Sequence, residues 1–256
     1  MLTSTIARPP ASSGAATSLR TLYIAGGLAP LVTLVLYLSE LLLIPWDGYP
    51  ATTENWFALF QHSKMQGLFV LNALDIISIA LLGVMFLALF MALRQTAEAP
   101  MIIAIFFGLL GVVVFIVPRV AMLSIVSLSD RYAVAASEVE RARLLAAGET
   151  LGSLGTPTPQ TVGFLFMAVA VLIISLVMLR SRRFGRVIAW FGLLASLFTF
   201  ADHITLIVAP TLSAPLMIAS GLFWLPWWVM IGLGLLRLAR QETPQSWSDD
   251  RVRNRE

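Results

Sequence analysis

Residues 161–208 read TVGFLFMAVAVLIISLVMLRSRRFGRVIAWFGLLASLFTFADHITLIV. Two apolar runs, Val162–Leu179 and Val187–Val208, flank a turn that carries Arg180, Arg182, Arg183 and Arg186. Each run has about the 20 residues that an α-helix needs to cross the hydrocarbon core of a bilayer. Clustered arginines between such runs are the signature of a cytoplasmic loop. The stretch therefore reads as a membrane-spanning helical hairpin, with Asp202 and His203 inside its second arm.

The rest of the chain repeats this pattern. Of 256 residues, 58% are hydrophobic and 12% charged, and the mean hydropathy is +0.86. Soluble domains carry roughly 25% charged residues. Further apolar spans cover Leu19–Ile44, Met65–Leu93, Met101–Leu128 and Leu216–Leu236. The predicted fold is all-α: a polytopic integral membrane bundle of about six transmembrane helices. The first span is too long for a signal-peptide core and lacks a small-residue cleavage pattern, so it is expected to remain as an anchor. Residues 19–240 form the transmembrane domain. Residues 1–18 and 241–256 are polar, without apolar periodicity, and are expected to be disordered tails.

Two polar excursions interrupt the spans. Pro45-Trp46-Asp47-Gly48-Tyr49-Pro50 breaks the chain and supplies interfacial aromatics. Thr53–His62 then reads as a short interfacial helix capped by Thr53. Between the third and fourth spans, Ser129-Asp130 reads as an N-cap and Gly148 as a stop, so 130–147 is expected to be one short amphipathic surface helix. The pairs Glu138/Arg141 and Glu140/Arg143 are three residues apart and support it. Gly152–Thr161 reads as a loop.

Charge distribution sets the expected orientation. The protein has 17 Lys and Arg residues. With the N-terminus inside, Arg8, Arg20, Arg94, Arg180, Arg182, Arg183, Arg186, Arg237, Arg240, Arg251, Arg253 and Arg255 lie on the inner side. That majority predicts cytoplasmic termini in an inner (plasma) membrane protein. The basic pI of about 9.8 does not point to nucleic acid, because the arginines flank apolar spans instead of forming a patch with interleaved aromatics. The absence of Cys excludes disulfides, thiolate ligands and a cysteine nucleophile. The two histidines, His62 and His203, offer no matched pair for a haem. No cofactor and no metal site are expected.

Five ionisable side chains fall inside the spans: Glu40, Asp75, Arg119, Asp202 and His203. A charge at the centre of a bilayer costs about 3 kcal/mol on insertion scales, so such residues face the protein interior and find partners. Helical spacing places the acidic residues on polar faces. Thr33, Tyr37 and Glu40 follow at i, i+4, i+7, while Asn72, Asp75 and Ser78 recur every three residues. Thr199, Asp202 and Thr205 do the same, with His203 four after Thr199. The fourth span has no such stripe beyond Ser175, which predicts a lipid-exposed or purely packing helix. Asp75, Arg119 and Asp202 lie roughly 9–15 Å below the outer surface at 1.5 Å per residue.

The guanidinium of Arg119 can hold one carboxylate with two hydrogen bonds and reach another. The expectation is a single cluster in which Asp75 and Asp202 bracket Arg119, with His203 beside them and Glu40 nearer the mouth. Pro118 leaves a carbonyl free and is expected to kink the third span there. Asn72, Tyr37, Thr199 and Trp224 are the candidate pocket lining. Asp202 and His203 are adjacent and diverge by about 100° on a helix, which disfavours joint metal ligation. No nucleophile, base and orienting residue share the context of a known catalytic motif, so no catalytic residue is assigned.

Thr161–Val208 resembles an uncharacterised bacterial integral-membrane family, domain of unknown function 4386. That family shows an apolar helix, a basic turn of the type R-S-x-x-x-P-R and a Gly-bearing helix ending in Asp. Here the turn is Arg180-Ser181-Arg182-Arg183-Phe184-Gly185-Arg186, with Gly185 where Pro is common, and the terminal Asp is Asp202. Tyr23-Ile24-Ala25-Gly26-Gly27 is similar to the opening helix, and the Asp75 and Arg119 helices follow in order. The resemblance spans Leu19–Leu236 and implies a bundle of about six helices without an established activity.

Together these readings lead to a non-enzymatic membrane protein with an outward-facing polar pocket. Its expected partners are the lipid bilayer, a small or lipid-like ligand whose anionic group pairs with Arg119, and a membrane-protein partner. The alternative is a structural or accessory subunit in which the charges only fix helix packing. A third reading is an intramembrane enzyme with Asp202 and His203 as its acid–base pair.

Overall fold

A computed structural model describes residues 13–43, 50–154 and 157–241. Among them ten α-helices follow one another: α1 Ser13–Leu43, α2 Thr53–His62, α3 Lys64–Val70, α4 Leu74–Leu93, α5 Glu98–Met122, α6 Ser124–Val134, α7 Glu138–Leu154, α8 Pro157–Arg180, α9 Arg186–Val208 and α10 Ser213–Gln241. A 3-10 turn, Pro210–Leu212, joins α9 to α10. Six helical spans, built on α1, α4, α5, α8, α9 and α10, are long and apolar enough to cross a membrane. The protein is an all-α, multi-pass membrane protein.

The spanning helices form a closed ring. α1 packs on α4, α4 on α5, α5 on α8, α8 on α9, α9 on α10, and α10 back on α1. Phe86, Leu89, Leu93, Met101, Ile174, Met178, Trp227 and Ile231 are buried within it. Val35, Val113, Leu176, Leu197 and Leu222 are exposed on its perimeter, an apolar surface suited to lipid.

Lipid tails are as apolar as leucine, so burial alone does not drive these helices together. Small residues that let backbones approach supply packing instead. Gly27 of α1 faces Gly232 of α10, and a Cβ at either would meet the other's carbonyl oxygen at 2.9 or 2.8 Å. Gly111 of α5 faces Gly163 of α8 in the same way, at 2.7 and 3.1 Å. The Gly26-Gly27 pair thus sits at a crossing, as its position in an apolar run suggests.

α2, α3, α6 and α7 sit at one end of the ring, here called the capped end. Thr52, not Thr53, caps α2 by accepting from the Asn55 amide at 3.2 Å. Ser63 caps α3 through Gln66, and Ser137 caps α7 through Glu140. Phe57, Phe60, Leu71, Met122 and Ile125 form a second apolar cluster under this cap. Ser129 locks α6 to α2 by donating to the Phe57 carbonyl at 2.9 Å, and Lys64 pairs with Asp130 at 2.8 Å on the surface.

Several boundaries differ from the sequence expectation. α1 begins at Ser13, inside the segment read as a tail. The expected helix 130–147 is replaced by α6 and α7, with the chain turning at Ala135–Ser137. Ser129 is therefore buried in α6 instead of acting as a cap, and α7 runs past Gly148 to Leu154. Helix also occupies most of the expected 152–161 loop. α8 takes the packing role, wedged between α5 and α9 with Ser175 fully buried. Residues 1–12, 44–49 and 242–256 lie outside the described residues, and with them most of both expected tails and of the Pro45–Pro50 turn. The largest difference falls in the expected span Met65–Leu93, which is two helices, α3 and α4.

The glycine crossings make a direct prediction. Gly27→Leu and Gly232→Leu each force backbones apart and should cost about 1–3 kcal/mol or more. Gly221→Ala on α10, where a Cβ meets nothing within 4 Å, should leave stability unchanged or slightly raised. Thermal unfolding in detergent micelles measures both.

Candidate functional site

The site is built at the interruption between α3 and α4. α3 ends at Val70, and α4 starts at Leu74. Between them Asn72 adopts φ 55°. Asn reaches this left-handed region more readily than most residues because its short polar side chain bonds locally. A break leaves carbonyls unpaired at the end of one helix and amides unpaired at the start of the next. At membrane depth water does not satisfy them, and each bare group costs several kcal/mol.

The backbone bonds in part across the break, Ala73 donating to the Leu68 carbonyl at 3.0 Å and Asp75 to the Asn72 carbonyl at 3.1 Å, and two charged side chains from neighbouring helices address what is left. Arg119 of α5 donates from Nη1 to the Leu71 carbonyl at 3.2 Å. The Glu40 carboxyl of α1 lies beside the backbone amides of Leu74 and Asp75, and the Asp75 amide itself donates to the Asn72 carbonyl at 3.1 Å. A cation thus meets the C-terminal end of α3 and an anion the N-terminal end of α4, the signs that the helix dipoles favour. Ala73, at the N-cap position of α4, makes no side-chain cap of its own, so Glu40 performs this role from α1.

Asp75 ties the two together. Its carboxylate lies 3.4 Å from Arg119 Nη2. It also lies beside the Glu40 carboxyl. The side chains of Arg119 and Asp75 are 11% and 18% exposed, so the pair is largely withdrawn from solvent. The Arg119 guanidinium stands 5.5 Å from the Phe115 ring centre, which adds a cation–π contact. Pro118 lies within α5 immediately before Arg119. On the same α1–α4 interface, Thr33 donates to the Ser78 carbonyl at 3.0 Å.

Asp202 and His203 lie in a second group on α9 and α10. Ser213 donates to the Asp202 carboxylate at 2.5 Å. His203 Nδ1 donates to the Thr199 carbonyl at 2.8 Å and lies 3.5 Å from Asp202. The Thr199 hydroxyl pairs with Ser220 at 2.9 Å and accepts from the Trp224 indole at 2.9 Å. Rings of α5 and α8 run between the groups. Phe115 meets Phe164 at 5.2 Å, and Phe164 meets His203 at 6.3 Å.

The five expected residues thus fall into two groups, Glu40–Asp75–Arg119 and Asp202–His203. Arg119 forms its ion pair with Asp75, whereas Asp202 is held by Ser213 and its own helix neighbour. Asn72 sits in the break itself. Tyr37 lies edge-on to Trp228 at 6.4 Å and is about half exposed. His62 is exposed at the end of α2. Among the described residues no three His, Cys, Asp or Glu side chains gather to hold a metal. A shallow cleft opens at the capped end between α6 and α7, lined by Leu128, Arg131, Ser137, Glu140, Arg143 and Leu144.

Sequence reasoning placed Asp75 and Arg119 in register but missed the break and the roles of Leu71 and Ser213. A polar Asn72 flanked by apolar residues was the available signal. Carbonyl partners leave no trace in side-chain pattern.

The stitching is testable by thermal unfolding. Glu40→Ala should cost about 1 kcal/mol, as loss of a helix cap does. Glu40→Gln keeps an acceptor oxygen and should retain most of that stability. A double-mutant cycle on Arg119→Met and Asp75→Asn should give a coupling of about 0.5–3 kcal/mol, whereas additive costs would show that the two do not interact.

No curated protein and no solved structure matches the chain. The family model described as Domain of unknown function (DUF4386) matches residues 21–233, which hold every residue of both polar groups, and the chain belongs to that family.

Proposed function

We propose that the protein is a non-enzymatic, membrane-embedded binding protein. Its polar residues in the capped half of the ring receive a small or lipid-like ligand. Arg119, Asp75, Glu40 and Asn72 form one wall, and His203, Asp202, Thr199 and Trp224 the other, across the Phe115–Phe164 rings. The observation that carries this reading is the interrupted helix. Irregular backbone at membrane depth persists where it is buried in protein or lines a polar cavity. Discontinuous helices with charged partners are a recurrent way to build intramembrane binding sites. Ionisable residues at this depth are costly to retain without a role.

A second reading is favoured by a specific feature. Arg119 and Glu40 already satisfy both ends of the break, so the same residues serve a purely structural subunit.

Arg119→Gln separates the two. Gln keeps an amide donor for the Leu71 carbonyl and loses the charge. The binding reading expects wild-type protein to carry a small or lipid-like molecule, seen by native mass spectrometry. The variant should release it while remaining folded and monodisperse in detergent. A large fall in melting temperature, with no molecule retained by either protein, supports the structural reading instead.

A further inference from the structure

The Glu40–Asp75–Arg119 group contains two carboxyls and one guanidinium. Asp75 is in contact with both of the others. Arg119 balances one carboxylate, so with both acids ionised the group carries one uncompensated negative charge. Two acids in contact, largely out of water, are held together by a positive charge between them, either a proton or a metal ion. Among the described residues the chain supplies no second cation here: Lys64 is paired with Asp130 at the surface, and His203 bonds within the other group.

Two buried oxygens on this interface have no hydrogen-bond partner among the described residues. Glu40 is 4% exposed, yet its Oε1 has no hydrogen-bond partner among the described residues. Ser78 is 3% exposed, and its Oγ likewise has none. Ser78 lies one turn along α4 from Asp75. Its own carbonyl is bonded by Thr33, which shares the α1 face of Glu40 at i, i+7. These oxygens therefore belong to one α1–α4 interface. Oxygen-rich, carboxylate-bearing sites suit hard cations. The single residual charge selects a monovalent ion over a divalent one. The deep burial selects a small ion over an organic cation.

We infer that the α1–α4 interface binds a small monovalent cation of sodium type, held by Glu40, Asp75 and the Ser78 hydroxyl beside the interrupted helix. The inference rests on the binding reading above and assigns the ion that accompanies its ligand. Interrupted membrane helices beside carboxylates are known settings for such ions. Binding would neutralise the group and tie α1 to α4.

The test uses the full chain in detergent micelles, melted in sodium chloride and in N-methylglucammonium chloride of equal ionic strength at one mildly alkaline pH. The expected result is a saturable rise in melting temperature of a few degrees with sodium alone. Glu40→Gln should abolish that rise. Ser78→Ala should weaken the apparent sodium affinity several-fold while leaving the sodium-free melting temperature unchanged. Ser78→Ala keeps the test decisive if Glu40→Gln folds poorly. Equal melting in the two salts, or a sodium shift that survives in both variants, overturns the proposal. So does stabilisation produced by acidification and not by sodium, which would place a proton between the carboxyls. If sodium has no effect while Arg119→Gln still releases a co-purifying molecule, the cation site fails and the broader binding reading stands.

Discussion

A backbone amide or carbonyl in hydrocarbon must find a partner, and the polar residues of α1, α4 and α5 are arranged around a place where the helix is interrupted. The three residues between Val70 and Leu74 interrupt a transmembrane path, and Asn72 turns through positive φ. Everything charged nearby addresses the groups this exposes. Arg119 takes the carbonyl end, Glu40 takes the amide end, and Asp75 joins the two. Charges that look prohibitive as isolated side chains in lipid become the means by which an irregular backbone is tolerated. Their desolvation is offset by the hydrogen bonds and by each other.

Ring closure explains why the polar residues form two groups. Consecutive spanning helices are neighbours, so α8 stands between α5 and α9. Its Phe164 stands between Phe115, under Arg119, and His203. Asp202 then finds a nearer donor in Ser213, at the start of the helix that follows it. Close glycine contacts at the α1–α10 and α5–α8 crossings leave little freedom to shift a helix and merge the groups. The separation thus follows from packing of uncharged residues, although it determines which charges meet.

The same geometry bears on function. A fully satisfied ion pair would be sufficient for a structural part. The Glu40–Asp75–Arg119 group has more carboxyl than guanidinium, and buried oxygens of Glu40 and Ser78 point to something more than self-sufficiency. A stitch that holds two helix ends from two other helices also links their positions.

Much of this molecule is written in one dimension. Apolar runs of membrane length set the six spans, because the cost of bare backbone in lipid admits helices and little else. Polar stripes at i, i+3 and i, i+4 identified the interior faces, since helical period alone decides which residues share a side. Glu40, Asp75, Asp202 and His203 were legible as interior residues for that reason, and Arg119 from the cost of a charge in lipid. Tertiary structure decided the pairing. Which carboxylate Arg119 meets depends on the α8 wedge and on ring order. The break at Asn72 also escaped, because seven apolar-rich residues of α3 and the twenty of α4 read as one run. The partners of that break are a guanidinium on α5 and a carboxyl on α1, and only folding brings them to it.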